Sequence, residues 1–141
     1  MKLAALALSL TLGTTAFAAA PDPAAQVWDV VATLAAALAQ PNDAAFMKPI
    51  AKSFEQHDLI GRQVLALVQT NNVVSSISPV VNEGDDKQRT LEVDWYMEIQ
   101  PHAPGAELTQ RRENIKLTLV KNGKRWMITS LTPVSFFAAP N

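Results

Sequence analysis

Through the last third of the chain, apolar and polar side chains alternate one for one. Trp95, Met97 and Ile99 interleave with Asp94, Tyr96 and Glu98, and Ile115, Leu117 and Leu119 interleave with Asn114, Lys116 and Thr118. A period of two marks β-strands that carry a core on one face and solvent on the other. Upstream the period changes. Val27, Val31, Leu34 and Leu38 recur at the spacing of one helical face, after Asp22 as a cap and Pro23 in the first turn, and Pro41 stops the run.

Asn42 or Asp43 caps a second helical segment holding Phe46, Ile50 and Phe54, which Pro49 must kink or split. A third helix is expected from Asp58, read as its N-cap, to Thr70, with Leu59, Ile60, Val64, Leu67 and Val68 as its buried stripe. Strands are expected at Val73 to Glu83, Gln88 to Gln100, Leu108 to Val120 and Lys124 to Leu131. Gly84-Asp85-Asp86 and Pro101 to Gly105 supply turns, and Asn122-Gly123 reads as a two-residue type I′ hairpin turn.

Turn chemistry sets the pairing. A hairpin closing about Pro104 puts Val93 opposite Ile115, Leu91 opposite Leu117 and Glu92 opposite Lys116. A turn at Asn122-Gly123 puts Leu119 opposite Trp126, Leu117 opposite Ile128 and Ile115 opposite Ser130. Both assignments send the odd-numbered residues from Leu91 to Ile99 and from Arg111 to Leu119 toward the helices. The Val73 to Glu83 strand gives no parity, since Val80 and Val81 are both apolar and Gly84 can host a bulge. The fold class is therefore α+β: N-terminal helices packed on an antiparallel sheet.

Lys2, the apolar run Leu3 to Leu12 and the small-x-small step Ala16-Phe17-Ala18 have the form of a cleavable export signal at residues 1–18, which leaves residues 19–141 as one domain. No second apolar stretch suits a stable membrane anchor, and the expected location is the bacterial periplasm or the exterior. The chain has no cysteine, which excludes lipid attachment at a thiol, disulfides and thiolate metal sites. The formal charge of −1 becomes −2 once Lys2 is removed, so broad capture of nucleic acid is not expected. Lys121, Lys124 and Arg125 read as a solvated hairpin tip.

Helices followed by an antiparallel meander ending in Gly123-Lys124-Arg125-Trp126-Met127-Ile128-Thr129-Ser130-Leu131, then Pro133 and the Phe136-Phe137 pair, resemble the nuclear transport factor 2-like (NTF2-like, SnoaL-like) superfamily. The likeness covers about Pro23 to Phe137. It implies a cone in which a bent sheet wraps the helices around a pocket, a fold shared by ketosteroid isomerases, polyketide cyclases and exported bacterial proteins of unassigned function. An enzyme of this kind needs a carboxylate or imidazole in an apolar pocket. Parity sends Asp94 and Tyr96 outward. It sends Glu113 inward, opposite Trp95, with Arg111 opposite Met97. Glu113 is the candidate catalytic carboxylate, and Trp95, Met97, Arg111, Glu113 and Trp126 are the candidate pocket lining. The same charged residues can instead pair with one another and line the rim.

No cofactor is expected. Two histidines, His57 and His102, fall short of the convergent ligands a metal requires. The function expected first is a non-enzymatic module that binds a small apolar ligand or an envelope protein, paired as a homodimer through the outer sheet face. The alternative is a small-molecule lyase or isomerase using Glu113.

Overall fold

The computed structural model describes residues 22–141; the export signal expected at residues 1–18 lies outside them. Helix α1 spans Pro23–Ala39, α2 Asp43–Met47 and α3 His57–Thr70. Strands β1 (Asn71–Gly84), β2 (Gln88–Pro101), β3 (Thr109–Asn122) and β4 (Arg125–Thr132) then form one antiparallel sheet in sequence order, and a 3-10 turn at Val134–Phe137 closes the chain. The sheet is curved and the helices lie on one face of it. This is the expected α+β architecture.

Local chemistry accounts for most boundaries. The Asp22 carboxylate accepts from the Ala24 amide with Pro23 at the helix start, and the Asn42 side chain accepts from the Ala45 amide. Pro49 prevents α2 from continuing, as expected. The next residues instead run beside β4 as a short parallel bridge: Ile128 donates to the Pro49 carbonyl and Ala51 donates to the Ile128 carbonyl, each at 2.8 Å. That bridge covers part of an exposed sheet edge. The third helix departs from expectation at its start. Gln56 is its N-cap and Asp58 sits inside the first turn; of the expected stripe, Leu59 is solvent-exposed while Ile60, Val64, Leu67 and Val68 are buried.

The β2–β3 register is the one expected, with Leu91 opposite Leu117, Val93 opposite Ile115, Trp95 opposite Glu113 and Met97 opposite Arg111. The β3–β4 register is not. Asn122 pairs with Arg125, so the turn is Gly123-Lys124, and Leu119 faces Ile128 rather than Trp126. A type I′ turn needs positive φ at both central residues, whereas Gly123 (φ 64°) is followed by a lysine without it. A glycine leading the turn satisfies the backbone one residue later. Thr129 is then an extra residue in β4, between the pairs Leu119–Ile128 and Thr118–Ser130. This bulge moves the inward set from Trp126 and Ile128 to Leu131, which faces Leu117.

A second bulge lies at Val80, between Pro79 and Val81, in the strand whose side-chain pattern set no parity. The β1–β2 turn is tied down by Asp85, whose carboxylate accepts from the Lys87 and Gln88 amides and is thereby held below the usual carboxylate range. Gly84 is required there: its φ is 137°, and an added Cβ would lie 2.2 Å from the Gln88 carbonyl oxygen. Buried Arg89 clamps the same hairpin through the Asn82 side chain and carbonyl, each at 3.0 Å.

The core fills the concave side of the sheet. Val27, Val31 and Leu34 of α1, Phe46 of α2, Ile60, Val64 and Leu67 of α3, and the inward residues of β2 and β3 are wholly buried. Trp95 lies at its centre. Phe137 packs edge-on against Trp95 with ring centroids 5.2 Å apart, against Phe46 at 5.4 Å and against Phe136 at 5.2 Å. The outer face is polar. Arg112 donates two hydrogen bonds to Asp94, at 3.0 and 2.6 Å, and Lys116 stands 4.0 Å from Glu92.

Phe137→Ala should destabilise the fold by about 3–5 kcal/mol, read from denaturant midpoints at unchanged m-value. A loss below ~1 kcal/mol would show that the closing aromatic is not part of the core. The second expectation concerns pH. Hydrogen bonding and charge from Arg112 lower the Asp94 pKa below its ordinary 3.8. A depressed carboxylate contributes stability that is present above the unfolded pKa and lost as pH falls through the folded one. The Asp94 carboxyl carbon, followed by NMR, should therefore titrate at lower pH in the native protein than in Arg112→Gln; coincident curves would refute the pairing.

Candidate functional site

Acid–base chemistry on a small molecule needs a titratable group beside an enclosed apolar space. The residues that sequence parity sent inward divide at Ile115. Trp95 and Met97 are fully buried, as are Ile115 and Leu117. On β3 burial stops at Ile115. Glu113 pairs with Trp95 across the ladder, yet its side chain is exposed, and Arg111 is half-buried. Glu113 as an enclosed carboxylate among apolar neighbours is thus corrected. It lines an open groove with Arg111, Arg112, Ser135 and Phe136.

Arg111 has a different partner from the one expected. Its guanidinium donates to the Phe136 carbonyl at 2.9 Å and to the Ala138 carbonyl, and partial burial lowers its pKa. These bonds hold the 3-10 turn in place, so that Phe136 and Phe137 occupy the mouth of the cone beneath Trp95. Of the expected lining, Trp95 and Met97 are core residues under this plug, Arg111 is its clamp, and Glu113 stands outside it.

The deep interior holds little polar chemistry. The buried polar residues described are Asn71, which donates to the Leu67 carbonyl at the end of α3, and Arg89 in its hairpin. Three further buried atoms, Trp95 Nε1, Ser75 Oγ and Gln63 Oε1, have no hydrogen-bond partner among the described residues. Ser75 stands opposite Met97 and Ile77 opposite Trp95, which makes Ser75 and Trp95 diagonal neighbours on the inner sheet face.

Asp94 and Tyr96 lie on the outer face, as parity required, in a cleft with Ser76, Ser78 and Arg112. The Arg112 pair keeps Asp94 ionised at neutral pH. Tyr96 donates to Glu98 at 2.9 Å, and partial desolvation with that carboxylate raises its pKa. Neither is arranged as a general base. His57 contacts Asp58 at 2.9 Å, which lowers the Asp58 pKa, and His102 contacts Asn72 at 3.1 Å. These lie at opposite ends of α3, and no cluster of three potential metal-ligating side chains occurs among the described residues.

Trp126 is buried on the other side of the molecule, with 6% of its surface exposed. Its indole Nε1 donates to Gln26 Oε1 of α1 at 2.8 Å. It forms part of a shallow groove of about 400 Å³ between α1, the α2–Pro49 turn and the β3–β4 hairpin. Val30, Pro49 and Met127 contribute apolar surface, and Lys48, Lys124 and Arg125 contribute positive charge. Trp126 was expected to line a pocket inside the cone; it borders a groove at the cone's flank. Sequence reasoning missed Lys48 here. Its only signal was adjacency to Pro49, which does not reveal that the turn docks on β4.

No family model and no curated protein matches the sequence. Solved structures do match in shape. A conserved protein from Planctomyces limnophilus superposes with a TM-score of 0.69 at 7% identity, over 76% of this chain and 91% of that one. An NTF2-like superfamily protein from Salmonella enterica serovar Typhimurium gives 0.65 at 8% identity, over 77% and 87%. A type 2 hexachlorocyclohexane dehydrochlorinase gives 0.60 at 8% identity, over 76% and 80%. At such identities the likeness is one of fold. The chain has the nuclear transport factor 2-like fold.

Proposed function

We propose that this chain is an exported, non-catalytic NTF2-like module of the bacterial cell envelope that binds a small ligand or a protein partner and pairs as a homodimer through the outer face of its sheet. One observation carries the non-catalytic reading: the space beneath the sheet is closed by Phe136 and Phe137 against Trp95, with Glu113 left outside. A lyase or isomerase would need the reverse, an ionisable group inside and room for substrate beside it. Export is supported by the sequence pattern of residues 1–18. Pairing is supported by the cross-strand ion pairs of the outer face, Asp94 with Arg112 and Glu92 with Lys116, which offset most of the charge that would repel a second copy.

The competing reading is a small-molecule lyase or isomerase with Glu113 as its base. It draws on the shared fold of a protein named as a dehydrochlorinase. Fold alone does not transfer a reaction.

Natively purified mature protein, incubated for hours with whatever small molecule co-elutes, should return that molecule unchanged by mass spectrometry. Product formation that Glu113→Gln abolishes would replace this proposal with the lyase or isomerase. Sedimentation should give twice the mature chain mass, falling to the single mass in Arg112→Glu; a single mass for the unaltered protein would refute the dimer.

A further inference from the structure

We infer that the Trp126 groove is a binding site for a small amphipathic anion, an apolar body carrying one carboxylate. This inference rests on the proposal that the chain is a binding module, and it gives that module a site and a ligand class. The groove is assembled from three separated segments, and hydrogen bonds fix all three. Trp126 Nε1 holds α1 through Gln26, and the Pro49 and Ala51 bonds to Ile128 hold the α2–Pro49 turn against β4. The walls are therefore set before any ligand arrives, which lowers the ordering cost of binding.

Its chemistry is two-sided. Val30, Pro49 and Met127 supply the apolar part of the lining, and Trp126, largely buried, borders it. Lys48, Lys124 and Arg125 stand at the same groove, and none of them is in an ion pair among the described residues. Asp29 is the one acid of the lining. Lys121 adds a fourth cation, 6.0 Å from the Trp126 ring centroid. On a chain of formal charge −1 this concentration of positive charge is local. An arginine beside lysines favours a carboxylate, which can accept parallel N–H bonds. At about 400 Å³ the groove matches a small molecule better than a protein surface.

The test uses naphthalene-2-carboxylate and its neutral counterpart naphthalene-2-carboxamide, titrated into the mature protein and followed by two-dimensional NMR. The carboxylate should shift the Trp126 indole N–H and the Lys48, Arg125 and Met127 amides saturably. The carboxamide should bind about tenfold more weakly or worse. In a Lys124→Glu, Arg125→Glu double variant, affinity for the carboxylate should fall by a similar factor while the core amide signals stay in place; both residues are exposed, so folding is preserved.

Absence of saturable shifts at the groove, equal affinity for acid and amide, or undiminished binding by the double variant would each overturn the inference. So would shifts centred on Trp95 and Phe137, which would move the site into the cone. None of these results bears on whether a co-eluting molecule is returned unchanged, so the anion site and the binding-module reading fail independently.

Discussion

The edge-to-face packing of Trp95 with Phe136 and Phe137 is the contact on which the rest of the molecule depends. Trp95 sits at the middle of β2, between the β1 and β3 ladders, and the two phenylalanines reach it from the far end of the chain. Phe137 also meets Phe46 of α2, so a single side chain joins the sheet, the short helix and the C-terminal turn. Large rings gain more from such contacts than their area alone gives. Arg111 secures the arrangement by taking up carbonyls of the turn that would otherwise face a partly buried rim. Closure of the cone and placement of its last turn are one event.

What could be read in the sequence follows from this geometry. The β2–β3 register was legible because strict alternation on both strands, together with a loop centred on Pro104, permits one pairing that buries every apolar side chain. The β3–β4 register was not. Asn122-Gly123 is a stronger turn signal than Gly123-Lys124 when only residue types are weighed, and the Thr129 bulge lets β4 slide while Trp126, Ile128 and Leu131 all stay inside. Two different registers satisfy the same pattern, and only the full set of hydrogen bonds selects between them.

Glu113 shows a different limit. Parity specifies the face of a sheet, but it does not specify how far the opposing layer extends along it. Positions 111 to 119 share a face, yet on β3 burial stops at Ile115, although Trp95 and Met97, opposite Glu113 and Arg111 on β2, stay buried. A carboxylate two residues past that edge is a surface group. The groove at Trp126 was hidden for a related reason. Lys48 and the Lys124–Arg125 pair are far apart in the chain, and they converge because Pro49 diverts the backbone onto β4. A proline announces that a helix ends; where the chain goes next is a tertiary fact.

The three unpaired interior atoms, Trp95 Nε1, Ser75 Oγ and Gln63 Oε1, weigh against an entirely inert core. Each unmade buried hydrogen bond costs about 1–3 kcal/mol, and an apolar side chain of similar shape in each place would avoid that cost. Trp95 is nevertheless packed edge-on by Phe136 and Phe137. Where the resemblance implies a pocket, the C-terminal turn here packs Phe136 and Phe137 on Trp95. On the proposed reading, recognition falls to surfaces that the sheet and helices present outward, and the Trp126 groove combines hydrogen-bonded walls with three cations that lack ion-pair partners among the described residues. On the outer sheet face, by contrast, Asp94 and Glu92 are already answered across the ladder by Arg112 and Lys116. An unanswered charge beside an apolar wall gains more from a ligand than an answered one does, since the ligand breaks no existing pair.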